Sequence, residues 1–199
     1  MVDNLLFLWL AALPLMGSPG PATLSLAGLG SAFGFRQSLN YLYGIIMGTI
    51  TVLLMIATGV TTLILAQPMM RVILSSIAGV YILFLAVKIA TAPVGQVKRL
   101  SDNAPSFLPG FSLAIANPKA FAAIGAVYSS HTIVDDSLMA DTICKLLALI
   151  LVILSFSIAW LAFGATFSNL LRKPSIGRTA NIIFAVMLIL SVGSLWFVR

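Results

Sequence analysis

Ser18-Pro19-Gly20-Pro21 interrupts an apolar run from about Leu5 to Leu29, and Asn117-Pro118-Lys119-Ala120 interrupts another from about Phe107 to Ser129. The two breaks stand about half a chain apart in a protein of 199 residues. Proline lacks a backbone donor and clashes with the preceding helical turn, so each stretch ends one helix and begins another. Paired interruptions in matching positions of two halves point to a transporter built from repeats, with its binding site at the breaks.

Composition supports a membrane setting. The chain is 60% hydrophobic and 8% charged, with mean hydropathy +1.11. Soluble domains carry about 25% charged residues, and polar surface this scarce cannot cover a soluble globule. A spanning helix needs about 20 apolar residues. The hydropathy predicts six spans, at about 4–28, 40–66, 71–91, 107–130, 143–169 and 179–198. Backbone crossing lipid must satisfy its own hydrogen bonds, so these runs read as helices. The expected fold is an all-α integral membrane protein forming one domain over 1–199. Three spans in each half turn the second half upside down relative to the first. Repeat one covers about 1–91, a cytoplasmic connection 92–106, and repeat two about 107–199, with helices 1 and 4 broken. The leading segment has no basic residue before Arg36, so it reads as the first span rather than a removable signal.

Lys and Arg set the orientation. Connections 1–2, 3–4 and 5–6 hold Arg36, Lys88, Lys98, Arg99, Arg172, Lys173 and Arg178. The opposite side, counting Lys145 as a loop residue, holds that lysine with Arg71 and Arg199. The richer side should be cytoplasmic, which puts both termini outside. The net charge of +6 is therefore orienting loop charge rather than a nucleic-acid patch. Cys144 is the only cysteine and His131 the only histidine, and there is no glutamate. No disulfide can form within the chain, and the donor set gives no metal site or resident cofactor. No HExxH motif is present, and enzyme chemistry has little support.

Ser18-Pro19 and Asn117-Pro118 both fit a cap followed by a first helical residue. Each would open a half-helix near the membrane centre, and paired helix N-termini favour an anion such as a carboxylate between them. Lys119 lies about a dozen residues inside an apolar span, where an ionisable group is a functional candidate by default. It can pair with a substrate carboxylate and is the proton-coupling candidate. The alternative is that it snorkels or binds backbone carbonyls at the break. Ser18, Pro19, Gly20, Pro21, Asn117, Pro118 and Lys119 are thus the candidate substrate-binding residues. Asn40, Tyr43 and Tyr81 are further cavity candidates, with interfacial anchoring or packing as the competing role. Gly44 and Gly48 form a small-residue pair suited to close packing, within a protomer or in a homodimer.

Pro19-Gly20-Pro21 together with Asn117-Pro118-Lys119-Ala120, on this hydropathy and length, resembles the lysine exporter (LysE/RhtB) superfamily of amino-acid efflux proteins. The resemblance covers the whole chain. It implies secondary efflux of amino acids or their derivatives from the bacterial cytoplasm through the inner membrane, coupled to proton exchange. Its motif residues carry over to Pro19, Gly20, Pro21, Asn117, Pro118 and Lys119. The competing readings are a non-transporting membrane scaffold, whose breaks are only kinks, and an exporter of another small solute or ion. A central cavity distinguishes a transporter from a scaffold.

Overall fold

The computed structural model describes residues 2–59, 106–167 and 175–179, with 69, 80, 83, 86, 87, 90, 91, 182, 183, 185, 186 and 189. Most of the expected third and sixth spans, the 92–105 connection and Tyr81 lie outside the described residues. Six helices are delimited within them: α1 (Val2–Gly17), α2 (Pro21–Phe33), α3 (Leu39–Ala57), α4 (Phe107–Ile115), α5 (Pro118–Ser130) and α6 (Leu138–Thr166), and residues 175–179 are helical as well.

Two helices, α3 and α6, are long and apolar enough to span a membrane unaided. The other four form two bent pairs. α1 and α2 meet at 61°, and α4 and α5 at 58°. The bends fall at the two proline motifs, and each pair counted as one span brings the total to four. The expected six-span count extends beyond the described residues.

The local chemistry at the two breaks differs. Asn117 caps α5 as expected, its side chain accepting the Lys119 amide at 3.2 Å, and Pro118 takes the first helical position. At the first break the cap is Gly20, not Ser18, and the first helical residue is Pro21, not Pro19. Ser18 instead turns its hydroxyl back to donate to the Leu15 carbonyl at 3.0 Å. Thr23 completes the start of α2 by accepting the Gly20 amide at 2.8 Å. The Pro-Gly-Pro order explains the shift. The second proline suits the first helical turn, and the glycine before it adopts the extended cap conformation.

Helix ends also depart from the hydropathy boundaries. α3 stops at Ala57, well short of position 66, because Thr58 ends it and Gly59 follows at φ 74°. A left-handed glycine after the last turn is a stop signal that hydropathy does not register. Ser137 caps α6, its hydroxyl accepting the Ala140 amide at 3.3 Å, so that helix begins before position 143 and takes in Asp141 and Lys145. Lys145, counted above as a loop charge, is therefore a buried helical residue.

Each unbroken helix packs against both halves of the other half-chain's broken pair. α3 lies on α4 and α5, α6 lies on α1 and α2, and α3 and α6 also touch. Glycines make the closest approaches. A Cβ at Gly44 would strike the Phe107 carbonyl, and one at Gly48 would lie 2.6 Å from the Ala114 Cβ. Across the molecule a Cβ at Gly164 would strike the Ala27 carbonyl, and one at Gly30 would come within 2.9 Å of the Ala165 nitrogen. In lipid, apolar surface gains little by leaving the solvent, so such close backbone packing carries much of the helix association. The Gly44/Gly48 pair therefore serves packing within one chain.

Candidate functional site

The two breaks meet. Lys119 extends from the start of α5, and its ammonium donates to the carbonyl oxygens of Ser18 and, at 3.1 Å, Pro19. Those carbonyls follow the last turn of α1, where no intrahelical donor reaches them. Gly20 provides the passage. A Cβ there would lie 2.7 Å from Lys119 Cδ and 3.1 Å from its Nζ. Binding to backbone carbonyls was one of the two roles open to Lys119 from sequence, and this is the contact it makes here.

α6 supports the same junction from the other side. Trp160 donates its indole N–H to the Gly17 carbonyl at 3.2 Å, and the Phe156 ring covers Gly17 so closely that a side chain there would overlap it. Neither Trp160 nor Phe156 was singled out from the sequence. The missed signal was helical spacing: Ile153, Phe156, Ser157 and Trp160 recur at three- and four-residue intervals, which places them along one face of α6.

Beside the junction lies a cavity of about 70 Å³, lined by residues of α1, α2, α3, α5 and α6 and including Gly20, Asn117 and Lys119. One water needs about 10–15 Å³ of such space, so the cavity has room for several waters or a small solute. Its walls are mainly apolar, with the side chains of Thr23, Thr49, Asn117, Lys119 and Ser157 among them and no carboxylate. Two core clusters border it. One contains Ile124, Val152 and Ile153, the other Leu26 and Ile45.

Most of these polar groups already have partners. Thr23 bonds Gly20, and the Thr49 hydroxyl donates to the Ile45 carbonyl at 2.8 Å. Two groups do not. Asn117 is 5% exposed and uses its Oδ1 on the Lys119 amide, which leaves its Nδ2 donors without a partner among the described residues. Ser157 is 7% exposed, and its hydroxyl likewise has no partner among them. Buried polar groups are nearly always hydrogen-bonded, so unpaired ones facing a cavity are what a polar ligand would satisfy.

The remaining candidates separate clearly. Ser18, Gly20, Pro21, Asn117, Pro118 and Lys119 gather at or next to the junction, with Pro19 contributing its carbonyl. Asn40 and Tyr43 do not. Both are exposed on α3, away from the cavity lining, because that helix turns Tyr41, Ile45 and Gly48 inward instead. Tyr41 reaches Ser25, its hydroxyl lying 3.0 Å from the serine oxygen.

A second polar cluster lies at the start of α6. Asp141 Oδ2 pairs with Lys145 at 2.7 Å, while Oδ1 accepts the amides of Ile133, at 2.6 Å, and Val134, at 3.1 Å. The Lys145 ammonium also lies 5.0 Å from the Tyr128 ring centre. The carboxylate thereby fastens the 131–137 connection to α6 and, through Lys145, to α5. The expected spans at 107–130 and 143–169 left Asp141 in the connection between them, where this clamp is not foreseen.

Residues 13–195 match the family described as LysE type translocator. The cysteine/O-acetylserine efflux protein of Salmonella paratyphi A is 30% identical over 173 residues, 86% of this chain and 87% of that protein. The cysteine/O-acetylserine efflux protein of Escherichia coli O1:K1 / APEC is 29% identical over 182 residues, 91% of each. No solved structure gives a significant match.

Proposed function

The chain belongs to the LysE type translocator family, and from that premise we propose that it exports amino acids or their derivatives from the bacterial cytoplasm. It is a multi-pass membrane transport protein, not an enzyme. The relatives named for cysteine and O-acetylserine efflux direct the proposal toward small amino acids with short polar side chains.

The observation that carries this reading is the cavity at the meeting of the two breaks, with buried Asn117 and Ser157 left unpaired on its wall. In the proposed complex the substrate carboxylate takes the Asn117 Nδ2 donors and the first amides of α2, where the helix dipole also favours negative charge. Lys119 supplies a cation beside it, and Ser157 meets the substrate side chain. The glycine seams let two inverted repeats rock against each other and alternate access to this site. Export runs against proton entry, with Lys119 as the coupling group. The protein lies in the inner membrane with both termini outside.

The test is efflux from proteoliposomes loaded with labelled amino acids, with and without an imposed pH gradient. Gradient-sensitive efflux of a small polar subset is expected. A folded protein that moves no amino acid would sink the reading. Unchanged export by a stable Lys119→Ala protein would remove Lys119 from the site.

A further inference from the structure

We propose that the carbonyl oxygens of Ser18 and Pro19 form a binding site for a primary ammonium group, with Lys119 as its built-in occupant and the amino group of the substrate as its competitor. This rests on the amino-acid reading above and assigns the subsite for the substrate's amino group.

The break creates the acceptors. Beyond the last turn of α1, carbonyls have no intrahelical donors, and the negative end of the helix dipole lies there. Neighbouring carbonyls are used by other groups, Gly17 by the Trp160 indole and Leu15 by the Ser18 hydroxyl. Ser18 and Pro19 carbonyls receive the Lys119 ammonium, which arrives from 100 positions away in the sequence. The geometry therefore displays the recognition itself, an alkylammonium ion held by two backbone oxygens.

The cavity wall supplies the second argument. It holds no carboxylate. An ammonium ion that has left water needs oxygen acceptors, and leaving it without them is costly. The Asn117 carbonyl oxygen already accepts the Lys119 amide and the Thr23 hydroxyl the Gly20 amide, while Thr49 and Ser157 offer only single hydroxyl oxygens. The pair held by Lys119 offers two backbone oxygens together, next to Gly20 and Lys119 on the cavity lining.

Exchange strands no acceptor, because one ammonium replaces another and the carbonyls keep both their bonds and their positive partner. The displaced Lys119 meets the carboxylate carried on the same carbon as the incoming amino group. A zwitterion adds no net charge to the cavity. The two breaks are then bonded directly through Lys119 in one state and through the substrate in the other. That difference gives the substrate a way to shift the arrangement of the two halves.

The test uses the full chain in proteoliposomes and radiolabelled ethylamine, which carries the ammonium without a carboxylate. Lys119→Met removes the occupant while keeping an unbranched side chain. Ethylamine binding is expected to tighten at least tenfold in this variant. Gly20→Ala crowds the lysine stem and should act in the same direction by a smaller factor, and it decides the matter if Lys119→Met does not fold. Equal ethylamine affinity in native and variant proteins overturns the proposal. Amino-acid efflux by the native protein in the same vesicles is read separately. Its absence counts against the exporter reading and leaves the ethylamine result to decide the subsite.

Discussion

Ser157 shows how much one side chain decides at this site. A serine inside a helix usually bonds the carbonyl one turn back, as Ser155 does with Leu151 at 2.8 Å. Ser157 leaves its hydroxyl unpaired beside the cavity. If it bonds the substrate side chain, Ser157→Ala should lower efflux of polar amino acids relative to alanine by roughly tenfold, the worth of one hydrogen bond. Competition between labelled serine and alanine measures that ratio. Asp141 illustrates the structural counterpart. Replacing it with alanine strands the amides of Ile133 and Val134 and leaves Lys145 buried without its partner. A loss of about 1–3 kcal/mol is expected from the stranded donors, read as a lower melting temperature in detergent. Lys119 was legible from sequence as a charge out of place, but its partners were not, because they lie on a segment remote in the chain.

At the scale of elements, the account turns on broken helices and glycine seams. Gly164→Val should disrupt the α2–α6 contact, since even a Cβ overlaps the Ala27 carbonyl. Overpacking of this kind costs about 1–3 kcal/mol or more. Gly125→Ala is the control, because a Cβ there meets nothing within 4 Å, and alanine favours helix over glycine. A melting series should show the first unstable and the second unchanged or improved. The breaks themselves were readable in the sequence, because proline has only a few places in a helix. The position of the first cap was not. Ser18 and Gly20 are both acceptable caps in principle, and the choice depends on which proline begins the helix. The ends of α3 and α6 were misplaced for a related reason. Hydropathy measures suitability for lipid, whereas Gly59 and Ser137 end and begin helices through backbone conformation and capping.

At the scale of the molecule, the described helices are arranged reciprocally: α3 and α6 are each packed on the broken pair of the other half. Membership in a transporter family was readable from the two motifs and the hydropathy, because both reflect strong constraints of the bilayer. The cavity lining was not, since hydropathy does not report which face of α3 or α6 turns inward. Of the two roles open to Asn40 and Tyr43, lining the cavity is not the one they take here, and Phe156 and Ser157 were passed over for that reason. The positive charge on one side predicts both termini outside the cytoplasm, so a C-terminal alkaline phosphatase fusion should be active and a cytoplasmic reporter silent. The central claim is that substrate sits where the two breaks meet. Its most direct test is protection of an introduced thiol, made possible because Cys144 is the only native cysteine. In a Cys144→Ser background, Ser157→Cys and Tyr43→Cys are labelled with a membrane-permeant thiol reagent, with and without a transported amino acid that lacks a thiol. The account predicts that substrate slows labelling at position 157 and leaves position 43 unaffected. Equal labelling at position 157 with and without substrate would contradict it.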